Sequence, residues 1–328
     1  MLKILIIGGA GYIGSHVTRA FLDRKDKITV FDNLSSGCRE NLFEEAEFVL
    51  GDILDYNSLC NVMAKGFDVV VHLAALKAAG ESMTKPEKYA INNICGTINI
   101  INAMAHTNIK NIIFSSSASV YGMPKYIPVD ENHPLEPINF YGYTKLEIEN
   151  LLKWYDKLKN IRFASLRYFN AAGYDINGKI KGLERNPQNL LPIVMETACG
   201  IRKEMFIFGD DYDTKDGTGI RDYIHVNDLA VAHILACKYV IKNNKSIIVN
   251  LGSEKGLSVK EIIAMAEKIT KRKINANVTQ RRLGDPAIML ASSKKAKEIL
   301  GWEPKYSDCE TLIKSMWDVY KNKTVNNE

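Results

Sequence analysis

The opening stretch, residues 3 to 16, constrains the fold more than any other. An apolar run, Ile4 to Ile7, gives way abruptly to Gly8 and Gly9, a helical pattern starts near Tyr12, and glycines recur at 8, 11 and 14. In a dinucleotide-binding turn each glycine has its own reason. Gly8 turns the chain tightly off the strand, Gly11 lets the backbone approach a pyrophosphate, and Gly14 lets the new helix pack against the sheet. The anion then rests on free N–H groups at the helix N-terminus, those of Tyr12, Ile13 and Gly14. A plain strand-to-helix turn also produces glycines, and the spacing is G-x-x-G-x-x-G rather than G-x-G-x-x-G. The next strand favours a nucleotide. This second apolar run, Lys27 to Phe31, ends at Asp32, 18 residues after Gly14, close to the spacing at which an acid accepts from the adenosine ribose hydroxyls. An aspartate there repels a 2′-phosphate, which selects NAD over NADP.

Strand and helix patterns alternate from there on. Glu47 to Leu50 reads as a strand, Tyr56 to Lys65 as a helix, Val69 to Ala74 as a strand buried on both faces, Pro86 to His106 as one long helix, and Asn111 to Ser115 as a further strand. This alternation specifies an α/β fold with a doubly wound parallel sheet of Rossmann type, whose ligands lie outside the carboxyl ends of the strands. Residues 1–170 are expected to form the NAD-binding domain, with later segments returning to it. Residues 171–328 are expected to form mainly a smaller α/β substrate domain.

The net charge of +5 comes from 43 basic against 38 acidic residues, well mixed along the chain, so nucleic-acid binding has little support. Six scattered cysteines without a C-x-x-C pair fit a reduced, cytoplasmic protein. The six histidines show no metal-ligand spacing, and no catalytic metal is expected. No uncharged apolar stretch is long enough to span a membrane. The only low-complexity feature is a polar tail from Lys321.

The chemistry is concentrated between residues 111 and 145. A strand runs into Ser115-Ser-Ser117-Ala-Ser-Val-Tyr-Gly122, and Tyr141-Gly-Tyr-Thr-Lys145 then opens an amphipathic helix to about Leu158. Tyr141 and Lys145, four apart, share a helix face. An ammonium beside a phenol favours the phenolate and lowers its pKa from about 10 toward a range usable by a general base. By itself the pair is equally a solvated helix edge.

GGAGYIG, the acid at 32, SSSASVYG and Y-x-x-x-K together resemble the extended short-chain dehydrogenase/reductase family. The resemblance implies that Tyr141 is the acid/base, that Lys145 orients the nicotinamide ribose and depresses the tyrosine pKa, and that Ser117 hydrogen-bonds the reacting oxygen. Ile7, where many members carry threonine, is one departure. The cofactor contacts implied are Asn33, Ser36, Gly37, Asp52 and Ile53 toward the adenosine. Leu73, Ala74, Ala75, Lys77, Asn92, Ser115 and Tyr168 are implied for the rest of the molecule.

Later motifs suit a nucleoside diphosphate. Arg221 and Arg282 are able to pair with phosphate oxygens, Asp285 to accept from a ribose hydroxyl, and Phe208 to lie against a base. Each has an alternative: Arg221 and Asp222 as a surface ion pair, Phe208 as core. LKAAGES at 76 to 82, YFNAAG at 168 to 173, NLLP and DGTGIRDYIHV resemble the UDP-sugar epimerases of the same family over essentially the whole chain. That resemblance implies a UDP-sugar site lined by Asn170, Asn189, Leu190, Phe206, Phe208 and Arg221, with Tyr223, Arg282, Asp285 and Met289. Lys77, Ser117 and Tyr141 border the sugar.

The implied reaction is interconversion of UDP-galactose and UDP-glucose through NAD-mediated oxidation at C4 and a 4-keto intermediate, by a homodimer formed through the 86–106 and 141–158 helices. The resemblance implies that Met289 lies where pocket width decides whether a 2-N-acetyl group fits, and some activity on UDP-GlcNAc is expected because methionine is flexible and less bulky than tyrosine. A 4,6-dehydratase needs an additional acid and base, and the corresponding positions are Ala118 and Ser119. A UDP-glucuronate epimerase or decarboxylase stays open. A non-catalytic NAD-binding regulator would be expected to lack Tyr141 or Lys145.

Overall fold

The computed structural model describes residues 1–184, 186–282 and 284–323; Arg185, Leu283 and the end of the polar tail, 324–328, lie outside it. In chain order the first half comprises β1 (Lys3–Ile7), α1 (Tyr12–Asp23), β2 (Lys27–Asp32), β3 (Glu47–Leu50), α2 (Tyr56–Met63), β4 (Val69–His72), α3 (Ala79–Ser82) and α4 (Pro86–Tyr89). A π-helical turn (Ala90–Cys95) leads into α5 (Gly96–His106), then β5 (Asn111–Ser117), α6 (Phe140–Lys159) and β6 (Arg162–Tyr168). The second half comprises β7 (Asn170–Ala172), α7 (Leu190–Ala198), β8 (Met205–Phe208), β9 (Ile220–His225), α8 (Val226–Asn243) and β10 (Ile247–Leu251). It ends with β11 (Gly256–Ser258), α9 (Val259–Thr270), β12 (Ala276–Thr279), β13 (Ile288–Met289), α10 (Lys294–Leu300) and α11 (Cys309–Tyr320).

Seven strands form one parallel sheet in the order β10-β6-β5-β4-β1-β2-β3. Its central strands read as unbroken apolar runs because helices cover both faces: Ile4, Leu5, Ile6 and Ile7 are fully buried, as are Val69, Val70 and Val71. One face packs Val17, Phe21 and Leu22 of α1 against Leu229, Ala232 and Ala236 of α8. The other packs α2, α5 and α6 through Leu59, Ile100, Met104, Ile148 and Leu152. Thus α8 and β10 return to the large sheet after the chain has left it. A second layer gathers β7, β9, β11 and β13 in one small sheet and β8 with β12 in another. These share a core with α7, α9 and α11.

Two local differences from the sequence reading matter for the site. The strand expected to reach Ala74 stops at His72, whose ring bonds Thr97 Oγ1 at 2.9 Å. Residues 73 to 77 are thereby free to form a loop. The long helix expected from Pro86 to His106 contains the π turn at 90–95, a rare one-residue excess that often marks functional sites. Strand order reverses between β1 and β4, and the loops after both strands meet there. A Cβ on Gly8 would lie 2.6 Å from the Ala74 nitrogen. This is the switch point at which such sheets bind nucleotides.

Candidate active site

The three glycines of the turn answer to different constraints. Gly8 has φ +85°, which a side chain rarely tolerates. A Cβ on Gly14 would come 2.0 Å from the Gly8 carbonyl, so Gly14 packs against the turn itself more closely than against the sheet. At Gly11 the nearest atom to such a Cβ is 3.4 Å away, so nothing in the protein requires glycine there. Gly11 is also the N-cap of α1, with no side-chain cap and no acidic residue in the first turn. Open space before an uncapped helix N-terminus fits a pyrophosphate. Asp32 sits beside it at the end of β2, accepting from Ala10 N at 3.0 Å and Leu34 N at 2.8 Å. Burial pushes its carboxyl pKa up against those two bonds. Asn33 donates to Asp52 at 2.8 Å, and Ser36 precedes Gly37, which packs onto Ala10. Ile53 turns inward onto Gly96 of α5, and its carbonyl accepts from Asn99 at 3.1 Å. These features fit NAD.

On the other side of the cleft, Leu73 and Ala74 both donate their N–H groups to the Ile7 carbonyl. The loop continues through Ala75 and Leu76 to Lys77, whose ammonium pairs with Glu184 at 2.5 Å. Asn92 donates to the side chain of Asn93 at 2.9 Å. Asn93 is a residue that the sequence reading missed. It is 1% exposed, exchanges two hydrogen bonds with the Leu76 backbone at 2.9 and 3.0 Å, and donates to Thr144 Oγ1 at 3.2 Å. It therefore clamps the Lys77 loop to the helix carrying Tyr141 and Lys145. The available signal was a pair of asparagines, poor helix formers, inside an otherwise helical stretch.

Tyr141 lies in the first turn of α6. Asn139 caps that helix by accepting from Gly142 N at 2.8 Å, and Ser82 Oγ accepts the Tyr141 N–H at 3.0 Å. Ser117, the last residue of β5, acts on the Tyr141 phenol to lower its pKa against the effect of burial, and its Oγ accepts from Ser119 N at 3.1 Å. Lys145 is 2% exposed; its Nζ donates to the Ser115 carbonyl at 2.7 Å and stands 5.8 Å from the Tyr141 ring centroid. The expected group is assembled, but the expected lowering of the tyrosine pKa is not. Burial pushes Tyr141 up to about 12, with Ser117 opposing. Burial also pulls Lys145 down to about 7, with Glu149 opposing. Both groups are desolvated, and the ammonium points at a carbonyl instead of the phenol, so the protein alone does not favour the phenolate. Tyr168 directs its hydroxyl to His233 at 2.6 Å, and burial raises its pKa strongly.

Beyond Tyr141 the second layer contributes the rest. Asn170 opens β7 and donates to the Asp222 carbonyl at 2.9 Å. Asn189 is the N-cap of α7 but makes no side-chain cap, and Leu190 follows half-buried. In β8 the alternation buries Met205 and Ile207 and turns Phe206 and Phe208 outward, so Phe208 is not core. The Arg282 guanidinium lies 3.8 Å above the Phe208 ring centroid. Arg221 pairs with Asp285 at 2.5 Å, and Tyr223 is buried with both charges acting on its phenol. The alternative of an Arg221–Asp222 surface pair is ruled out. Asp222 is fully buried and accepts from Ser253 N at 2.6 Å, Glu254 N at 3.0 Å and Ala291 N at 3.1 Å. Met289 packs with Ala118 and Val120, immediately beyond Ser117.

Residues 4–252 match the family described as NAD dependent epimerase/dehydratase. The chain belongs to the NAD dependent epimerase/dehydratase family. It is 44% identical over 323 residues to the UDP-glucose 4-epimerase of Lacticaseibacillus casei, covering 98% of this chain and 97% of that one. The UDP-glucose 4-epimerase of Brucella ovis, solved in complex with NAD, superposes with a TM-score of 0.94 at 39% identity, covering 97% and 98% of the two chains. The UDP-Glc/GlcNAc 4-epimerase of Campylobacter jejuni superposes at 0.86 with 40% identity, covering 98% and 99%. In this chain the glycine turn follows β1 and Ser117 ends β5, two strands of the one parallel sheet. Among the described residues no cluster of His, Cys, Asp and Glu is placed to hold a metal ion, and no helix is long and apolar enough to cross a membrane.

Proposed function

We propose that the protein interconverts UDP-galactose and UDP-glucose, using NAD held across the glycine turn. The observation that carries this reading is the gathering of Ser117 and Lys145 with Tyr141 at the end of β5, in the same parallel sheet whose β1 runs into the glycine turn, in a chain similar throughout its length to UDP-glucose 4-epimerases. NAD supplies a reversible hydride acceptor at C4. Tyr141 takes the O4 proton as the alcohol becomes a ketone and returns it after the sugar has turned over, while Ser117 holds the same oxygen. The C4–H bond has no acidifying neighbour, so proton abstraction alone does not reach it. Arg221 and Arg282 hold the diphosphate, Asp285 and Phe208 the uridine, with Asn170, Asn189, Leu190, Phe206 and Tyr223 around them. Binding at this non-reacting end keeps the ketose from escaping while it rotates.

Residues 1–170 with α8 and β10 serve as the NAD-binding part, and the remainder mainly as the UDP-sugar part. Ala118 and Ser119 supply no second acid and base, which favours epimerisation over dehydration. A cytoplasmic homodimer is part of the same reading. It is supported by exposed Ile91, Trp154 and Leu158 and by a groove of about 600 Å³ between α5 and α6.

Purified protein incubated with UDP-galactose should form UDP-glucose; no conversion with NAD present rejects the reading. The place of Met289 beside Ala118 also supports turnover of UDP-GlcNAc. Met289→Tyr should lower kcat/KM for UDP-GlcNAc selectively, and an equal effect on both sugars rejects that gate.

A further inference from the structure

Two buried charges behind the catalytic group have no part in the proposed chemistry. Glu149 is 0% and Arg167 2% exposed. Arg167 donates to the Glu149 carboxylate from Nε at 2.9 Å and Nη2 at 2.6 Å, and Ser116 Oγ donates to the same carboxylate at 2.6 Å. The remaining Arg167 Nη1 donates to the Tyr121 hydroxyl at 2.8 Å, and Tyr121 donates to Asn250 Oδ1 at 2.6 Å.

Burial of an ion pair is weak evidence for stability, because desolvation offsets most of the Coulomb attraction. A two-pronged guanidinium–carboxylate contact does fix direction. The directions fixed here are those of the reacting groups. Residues 141, 145 and 149 succeed one another at intervals of one turn along a single face of α6. The last three residues of β5 meet that face in register: the Ser115 carbonyl accepts from Lys145, Ser116 Oγ donates to Glu149, and Ser117 acts on the Tyr141 phenol. The middle contact alone is backed by a second charge on β6, and it adjoins both of the others.

We propose that Glu149 and Arg167 are positioning residues for the reaction: through Ser116 they set where Ser117 and the Ser115 carbonyl stand relative to Tyr141 and Lys145. This role rests on the protein being an epimerase.

Two variants test it. Ser116→Ala cuts the link while leaving the ion pair intact, and the double variant Glu149→Gln/Arg167→Met removes both charges with little change of volume. Each is compared with the parent holoenzyme for kcat, KM for UDP-galactose, NAD retained on gel filtration, and unfolding temperature. The expected result for folded variants is a loss of kcat of roughly ten- to a hundredfold, the scale of a small misplacement of reacting groups, with KM, bound NAD and unfolding temperature near parental values. Parental kcat in Ser116→Ala overturns the proposal even if the double variant does not fold. Parallel losses of kcat, bound NAD and unfolding temperature assign the pair a structural role only and also overturn it. A parent that binds NAD but converts no UDP-galactose overturns the reaction reading instead.

Discussion

Gly11 and Gly14 stand three residues apart in one turn, yet they answer to different constraints. A Cβ at 14 meets the Gly8 carbonyl at 2.0 Å, whereas a Cβ at 11 has its nearest neighbour at 3.4 Å. Gly14→Ala should therefore lower the unfolding temperature. Gly11→Ala should leave it near the parental value while weakening NAD binding roughly tenfold, or about 1.4 kcal/mol; thermal melts check the first and calorimetric titration with NAD the second. Tyr141 poses a different residue-scale question, because burial holds its pKa up at about 12 in the protein alone. A raised tyrosine pKa means that the phenolate, the form that accepts a proton, is scarce at neutral pH. The positive charge of a bound nicotinamide acts in the opposite direction, so the tyrosinate absorbance of NAD-loaded protein should rise at lower pH than that of cofactor-free protein. Tyr141→Phe identifies the signal. The same variant should retain NAD and lose about 10²–10⁴-fold in kcat, the usual contribution of a general base.

At the scale of elements, the cleft is closed from the second layer by the chain between β7 and α7. Tyr174 donates to the Gly182 carbonyl at 3.0 Å, a Cβ on Gly182 would lie 2.4 Å from Asn41 Oδ1, and Glu184 reaches across to Lys77 at 2.5 Å. This segment thus touches the loops after β2 and β4, on both sides of the glycine turn. Glu184→Gln, which keeps the shape and removes the charge, should release bound NAD several-fold faster on dilution, followed by NAD recovered in the ultrafiltrate over time; an unchanged release rate argues against a holding role for that bridge. The π turn at 90–95 works on the other rim, because its extra residue turns Asn93 inward. Apolar periodicity marked 86–106 as helix correctly but contained no information about that extra residue.

Across the whole molecule, the helices opposite the substrate layer present Trp154 at 58% and Leu158 at 66% exposure beside the α5–α6 groove. An apolar tryptophan so placed is a natural anchor for a second copy. Trp154→Glu should give a monomer by light scattering with NAD still bound, and a dimer of parental size rejects this face as the interface. The parallel sheet, Asp32 at the end of its second strand and the Tyr141–Lys145 spacing on one helix were all legible in the sequence. Each is written in short-range terms: the spacing of glycines, the period of apolar residues, and two side chains four apart on a helix. Tertiary structure alone decided the rest. Arg221 meets Asp285, Lys77 meets Glu184, and Asn93 meets Leu76 and Thr144 only because distant segments pack side by side. The burial that raises the Tyr141 pKa in the protein alone is likewise a tertiary effect, because desolvation depends on everything that covers a group, and no local pattern records that.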